Sequence, residues 1–299
     1  MSHFTLQGLG VALVTPFKAD LSIDFSALTT IIDNICGGEA DFIVVLGTTA
    51  ETPTLCEDER EKVRNFVRNH TDGTIPLVLG MGGNCTTSLV RQLQNTDLTG
   101  YSAILSVCPY YNKPNQEGMY RHFKAVAEAS PLPVILYNVP GRTGVNLMPE
   151  TILRLSAECP NIIGVKEASG SVNAVSRLVS AKRDDFAVVS GDDALTLPMM
   201  SVGASGVISV VGNAYTCEFA QLVHYAMAGD YDKAAEVHKR FKDLYNLMFA
   251  EGNPAGIKCA LSLLGQCENL LRLPLVPVGN RCKEQIHEAI MTFNNHALK

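Results

Sequence analysis

The 299-residue chain reads as an α/β protein, a (β/α)8 TIM barrel with a C-terminal helical extension, and three observations predict it. Eight short apolar runs recur at near-regular intervals. Each is near-continuous rather than alternating, the signature of a strand buried on both faces in a parallel sheet. Segments with helical spacing lie between them, such as Leu89, Leu93 and Leu98, or Phe123, Val126 and Ala127. A doubly wound sheet is the main alternative, but eight parallel strands close a barrel whose interior side chains can fill.

Taken in order, the runs differ most in the residues directly after them. Leu9–Val14 comes first; Phe42–Leu46 leads into Gly47-Thr48-Thr49-Ala50-Glu51, and Leu77–Leu79 into Gly80-Met81-Gly82-Gly83-Asn84. Ala103–Val107 precedes Pro109-Tyr110-Tyr111-Asn112-Lys113-Pro114. Val134–Tyr137 runs into Asn138-Val139-Pro140-Gly141-Arg142-Thr143-Gly144. Ile162–Val165 ends on Lys166-Glu167-Ala168, Ala187–Val189 on Ser190-Gly191-Asp192-Asp193, and Val207–Val211 closes the series. In such a barrel the carboxyl ends of the strands surround one mouth. Hydroxyls, phenols, a guanidinium and an ammonium would therefore converge.

The texture changes near Ala226. Ala234, Val237, Phe241, Leu244 and Met248 follow a helical period, Asn253-Pro254 starts a further helix through Leu264, and Arg272 to Pro277 is extended. A last helix ends near Asn294. The division expected is a catalytic barrel over 1–225 and a helical bundle over 226–299.

Composition narrows the function classes. Apolar residues at 46% and charged residues at 18% suit a globular enzyme. A net charge of −6 without a basic stripe argues against nucleic acid. No apolar run approaches the roughly 18 residues of a membrane span, and Met1-Ser2-His3-Phe4 shows no secretory pattern. The nine cysteines are scattered without a C-x-x-C pair, which fits reduced, mostly buried thiols and a cytoplasmic protein. No ligand spacing supports a metal at Asp192-Asp193, and the Gly80–Gly83 run lacks the ending of a phosphate loop.

Lys166 directly terminates an apolar run. An ordinary lysine, with a pKa of about 10.4, is almost wholly protonated at neutral pH and is no nucleophile. Desolvation disfavours the charge, and a drop of about three pKa units corresponds to about 4 kcal/mol. The resulting amine attacks a carbonyl to give an imine, an electron sink. The competing reading is a structural ion pair with Glu51 or Glu167. Thr48-Thr49, after a glycine at a strand-to-helix turn, offers N–H and hydroxyl donors to a carboxylate, or serves as an ordinary helix cap. Tyr137 and Tyr111 can relay protons or simply pack. Arg142 offers a carboxylate a two-pronged donor, or is an ordinary surface arginine. Lys258, in a helical stretch, reads as a surface lysine with a snorkelling stem.

Gly-Thr-Thr-x-Glu, Pro-Tyr-Tyr-Asn-Lys-Pro, Tyr-Asn-Val-Pro-Gly-Arg-Thr-Gly and Gly-Val-Lys-Glu-Ala, in this order, resemble the dihydrodipicolinate synthase family. These are the 4-hydroxy-tetrahydrodipicolinate synthases, a branch of the pyruvate-dependent class I aldolases that also include N-acetylneuraminate lyase. The similarity spans about Gly8 to Pro277. It implies a carbon–oxygen lyase that condenses pyruvate with L-aspartate 4-semialdehyde on the way to diaminopimelate and lysine, with no metal or organic cofactor. Lys166 would form the imine, and Tyr137 would move protons through Thr48 to Tyr111, the last supplied by a neighbouring subunit. Thr48 and Thr49 would hold the pyruvate carboxylate, Gly191 and Ile208 would line its pocket, and Arg142 would meet the second substrate's carboxylate. A homotetramer, a dimer of dimers, is implied. Ala50 replaces the family's usual glycine, where a left-handed backbone would cost alanine about 1 kcal/mol. Lysine-regulated members are matched at Asn84 and Tyr110, but Glu57, Ser88, Thr52-Pro53 and Arg60 depart from them. Lysine inhibition is therefore expected to be weak or absent.

Overall fold

The computed structural model describes residues 4–297, so Met1-Ser2-His3, the start of the N-terminal stretch that shows no secretory pattern, lies outside the described residues. The strands are β1 Gly8–Ala12, β2 Phe42–Val45, β3 Leu77–Gly80, β4 Ala103–Val107, β5 Val134–Asn138, β6 Ile162–Glu167, β7 Ala187–Ser190 and β8 Gly206–Ser209. All pair in parallel, and β8 pairs back onto β1, closing the barrel in sequence order. The helices are α1 Phe25–Gly37, α2 Glu57–Thr71, α3 Thr86–Asn95, α4 Gln116–Ala129, the single turn α5 Pro140–Thr143, α6 Pro149–Glu158, α7 Val172–Ala181 and α8 Thr196–Ser201. After β8 come α9 Thr216–Met227, α10 Tyr231–Arg240, α11 Lys242–Leu247, α12 Ala255–Leu263 and α13 Asn280–Ala297.

Strand residues alternate between two apolar environments, as their period of two requires. One set, including Phe42, Val44, Ile135, Tyr137, Val189 and Ile208, fills the barrel. The other, including Ile43, Val45, Leu136 and Val165, faces the helices. The longer helices around the barrel offer a matching stripe. Leu28, Ile31, Ile32 and Ile35 are fully buried in α1, and burying each such side chain contributes roughly 1.5–3 kcal/mol. Side-chain caps fix several starts: Asp24 accepts from Ser26 and Ala27 N–H, Asn115 from Gly118, and Ser171 from Ala174. At the amino end of the strands Phe42 blocks the interior. Its ring leaves no space at Gly10, where a Cβ would stand 2.2 Å from it.

The observed strands shift the sequence boundaries slightly. β6 runs two residues past the apolar run, so Lys166 lies within the strand, with Tyr137 and Val189 as its neighbours in register. β8 stops at Ser209, and Val211–Asn213 turns instead. The C-terminal helices share the outer core: Phe241 packs at 5.3 Å on Phe219 of α9 and at 4.6 Å on Phe293 of α13. All nine cysteines are free; four are buried, two half-buried and three exposed. Among the described residues no helix is long and apolar enough to cross a membrane.

Candidate active site

A cavity of about 860 Å³ opens at the carboxyl ends of the strands, lined by Lys166, Tyr137, Thr48, Thr49, Arg142 and Gly191. Lys166 reaches it because residues of β6 alternate: Val165 and Glu167 point outward, Lys166 inward. The lysine is only 6% exposed, and its Nζ stands 4.4 Å from the centre of the Tyr137 ring.

Neither carboxylate considered as its structural partner takes that role. Glu167 lies outside the barrel wall, accepting from Asn138 Nδ2 at 3.0 Å and from the Ser169 N–H at 2.7 Å. Burial pushes its pKa up, and those donors oppose the shift. Glu51 is paired elsewhere. Among the described residues no ion pair involves Lys166. Its stem is hemmed in by Gly191, where a Cβ would stand 2.9 Å from Lys166 Cε and 2.7 Å from Ala168 Cβ.

Thr48 and Thr49 occupy a three-residue 3-10 turn, Thr48–Ala50, with Gly47 as its cap. The sequence suggests the start of a longer helix, but α2 begins only at Glu57. A macrodipole therefore adds little here, and any donation comes from hydroxyls and local N–H groups. Thr49 is buried, and its Oγ1 accepts from Asn253 Nδ2 at 3.0 Å. Arg142 sits on the exposed turn α5, with Nη2 donating to the Asn253 carbonyl at 3.3 Å. Among the described residues no hydrogen bond joins Thr48 to Tyr137, although both line the cavity.

Two expected site residues stand apart. Ile208 is buried in the barrel interior cluster, while Val210 lines the cavity. Tyr111 is 86% exposed and outside the cavity, on a left-handed backbone with φ 74°. Tyr110, by contrast, lines the cavity.

Two expectations are corrected. Ala50 is not left-handed: the left-handed residue is Glu51, with φ 54° and ψ 32°, so the alanine carries no such strain. Lys258 is not a surface lysine but is fully buried, its Nζ 2.5 Å from Glu51 Oε1. The signal is present in the sequence. Its helix is apolar on every side, which marks burial and leaves a lysine nowhere to snorkel. Asn253 and the α11 residues Tyr245 and Asn246, which also line the cavity, carry no comparable signal. Among the described residues no three His, Cys, Asp or Glu side chains are grouped to hold a metal.

Residues 5–293 match the sequence profile of the dihydrodipicolinate synthetase family. The chain is similar to the 4-hydroxy-tetrahydrodipicolinate synthase of Parabacteroides distasonis, 51% identical over 97% of this chain and 98% of the relative. The Phocaeicola vulgatus enzyme of that name is 50% identical over 93% of each. Among solved structures, the dihydrodipicolinate synthase of Thermotoga maritima superposes with a TM-score of 0.95 at 38% identity, covering 97% of this chain and 99% of that one. The chloride-inhibited enzyme of Acinetobacter baumannii complexed with pyruvate gives 0.94 at 38%, with the same coverage. A barrel closed in sequence order, a buried lysine beside a tyrosine at its mouth, and similarity over nearly the whole length place this chain in the dihydrodipicolinate synthetase family.

Proposed function

We infer that the chain is a 4-hydroxy-tetrahydrodipicolinate synthase, condensing pyruvate with L-aspartate 4-semialdehyde in diaminopimelate and lysine biosynthesis. The observation that carries this reading is Lys166, buried at the cavity beside Tyr137 and free of any carboxylate partner among the described residues, in a chain of this family.

The Nζ of Lys166 adds to the pyruvate ketone, and loss of water gives the imine. Removal of a methyl proton turns the imine into an enamine, whose carbon bonds to the aldehyde carbon of the second substrate. The amino group of the product then attacks the imine carbon. This attack closes the ring and expels Lys166, so one water is lost overall. Tyr137 moves the protons, and Thr48 and Thr49 receive the pyruvate carboxylate. Gly191 leaves room for the lysine stem, Ile208 supports the pocket from below, and Arg142 binds the carboxylate of the semialdehyde.

Tyr111 serves the site of a second copy. Its exposure and left-handed backbone support that role, because such a conformation persists only where a function or contact maintains it. The assembly is a homotetramer built as a dimer of dimers, working in the cytoplasm with no metal or organic cofactor. Lysine feedback is weak or absent: Glu57 is occupied by Arg64 at 3.1 Å and by Arg60 at 3.5 Å. Micromolar lysine binding by calorimetry would contradict this.

The test is a steady-state assay. Pyruvate plus aspartate semialdehyde should turn over and N-acetylneuraminate should not; the reverse pattern overturns the assignment.

A further inference from the structure

The Thr48-Thr49 turn is tied to the C-terminal helices by a buried ion pair that no step of the condensation uses. Every residue of α12 from Ala255 to Leu261 is buried, and Lys258 is fully so. Its Nζ donates to Glu51 Oε1 at 2.5 Å and to the Leu270 carbonyl at 2.8 Å, and lies 4.1 Å from the centre of the Phe17 ring. Glu51 Oε2 accepts the Arg272 backbone N–H at 3.0 Å. Both oxygens of one carboxylate are thus held by the C-terminal segment.

Glu51 is also the residue that ends the threonine turn. Its N–H donates to the Thr48 carbonyl at 3.2 Å, and its own backbone is left-handed. A residue with a Cβ stays in that region only where its surroundings impose it. Here the surroundings are the Thr54 N–H and hydroxyl, which donate to the Glu51 carbonyl at 2.8 and 2.9 Å, and Lys258 and the Arg272 amide, which hold its carboxylate. A second tether runs beside the first, from Asn253 Nδ2 to Thr49 Oγ1 at 3.0 Å.

Stability does not account for such a pair. Desolvation of two charges offsets most of their attraction, and an apolar pair of similar volume often serves as well. A buried, hydrogen-bonded pair supplies fixed geometry instead.

We propose that Lys258 is a positioning residue which, acting through Glu51, holds the Thr48-Thr49 turn in the orientation that receives the pyruvate carboxylate. The proposal rests on the condensation reading above and adds a role for the C-terminal segment. Lys258 touches no substrate. Its loss should appear as weakened pyruvate binding rather than as failed carbon–carbon bond formation.

The test compares the full chain with Lys258→Met, with Lys258→Met combined with Glu51→Gln, and with Glu51→Asp. The double variant leaves no unpaired buried charge. Glu51→Asp keeps the charge but withdraws it by one methylene, so a fold lost in Lys258→Met does not end the experiment. Pyruvate affinity is read by calorimetry, KM and kcat are measured for both substrates, and melting temperature reports the fold. The expected result is a rise of about tenfold or more in Kd and KM for pyruvate in the double variant and in Glu51→Asp. KM for the semialdehyde should change by less than about threefold. Pyruvate affinity within about twofold of the parent chain in either folded variant overturns the proposal. Equal losses for both substrates overturn it too, because they mark general loosening. Trapping of pyruvate by borohydride on the unmodified chain separates the two failures. No adduct there sinks the condensation reading itself, whereas a normal adduct with normal affinity in the variants sinks only the role of Lys258.

Discussion

Lys166 and Gly191 lie on adjacent strand ends, and their fit leaves no room for a methyl group. A Cβ at position 191 would overlap Ala168 and press on the lysine stem. Gly191→Ala should therefore lower kcat/KM by about 10- to 100-fold, or ~1.4–2.8 kcal/mol of transition-state stabilisation. The melting temperature should fall by only a few degrees. Steady-state kinetics and thermal melts check this, and unchanged kcat/KM would show that the stem has slack. At this scale the sequence is readable where polarity breaks a pattern. A buried-type run ending on Lys166 has few structural explanations. Lys258 breaks a pattern just as sharply, yet a single charge in a helix suggests exposure until its apolar surroundings are weighed. Glu51 gives no hint of a left-handed backbone, because nothing in its local pattern announces that its side chain is held by a lysine more than 200 positions away in sequence.

Among the elements, β7 and β8 exchange a further tether. Asp193, just after β7, accepts the Val210 N–H at 3.1 Å and the Val211 N–H at 2.9 Å, fixing the loop that leaves β8. Burial pushes its pKa up from 3.8 to about 6, against the opposing effect of those donors. The folded state thus holds this proton more tightly than the unfolded chain. Its contribution to stability is full below about pH 3.8 and is lost as pH rises through about 6. Asp193→Asn does not titrate. Relative to the parent chain, its stability should improve by about 2 kcal/mol between about pH 4 and pH 7.5. Urea unfolding at both pH values checks this; a pH-independent difference would contradict it. The eight strands are legible because burial on both faces leaves a continuous apolar run. Their ends are not. Lys166 and Glu167 extend β6 because the ladder with β5 continues beneath polar side chains, and the Thr48–Ala50 turn stops short of the helix that its threonines suggest.

For the whole molecule, the single chain presents a cavity with Tyr137 in place and Tyr111 turned to solvent. If Tyr111 completes a second copy's site, two inactive variants should repair each other. Lys166→Ala and Tyr111→Phe, each nearly inactive alone, should regain activity when co-expressed, because a mixed dimer contains one site with both residues intact. Activity no higher than the sum of the separate variants would contradict the shared site. Helical periodicity announces the C-terminal helices but not their use. Their roof over the mouth, through Tyr245 and Asn253, depends on tertiary packing that no local pattern encodes.

The whole reaction depends on one buried amine capturing a keto acid covalently. Borohydride added to the full chain with pyruvate, followed by peptide mass mapping, tests it most directly. A reduced pyruvyl adduct is expected on the peptide carrying Lys166, absent without pyruvate and absent from Lys166→Ala. No adduct, or one on another lysine such as Lys258 or Lys113, would contradict it.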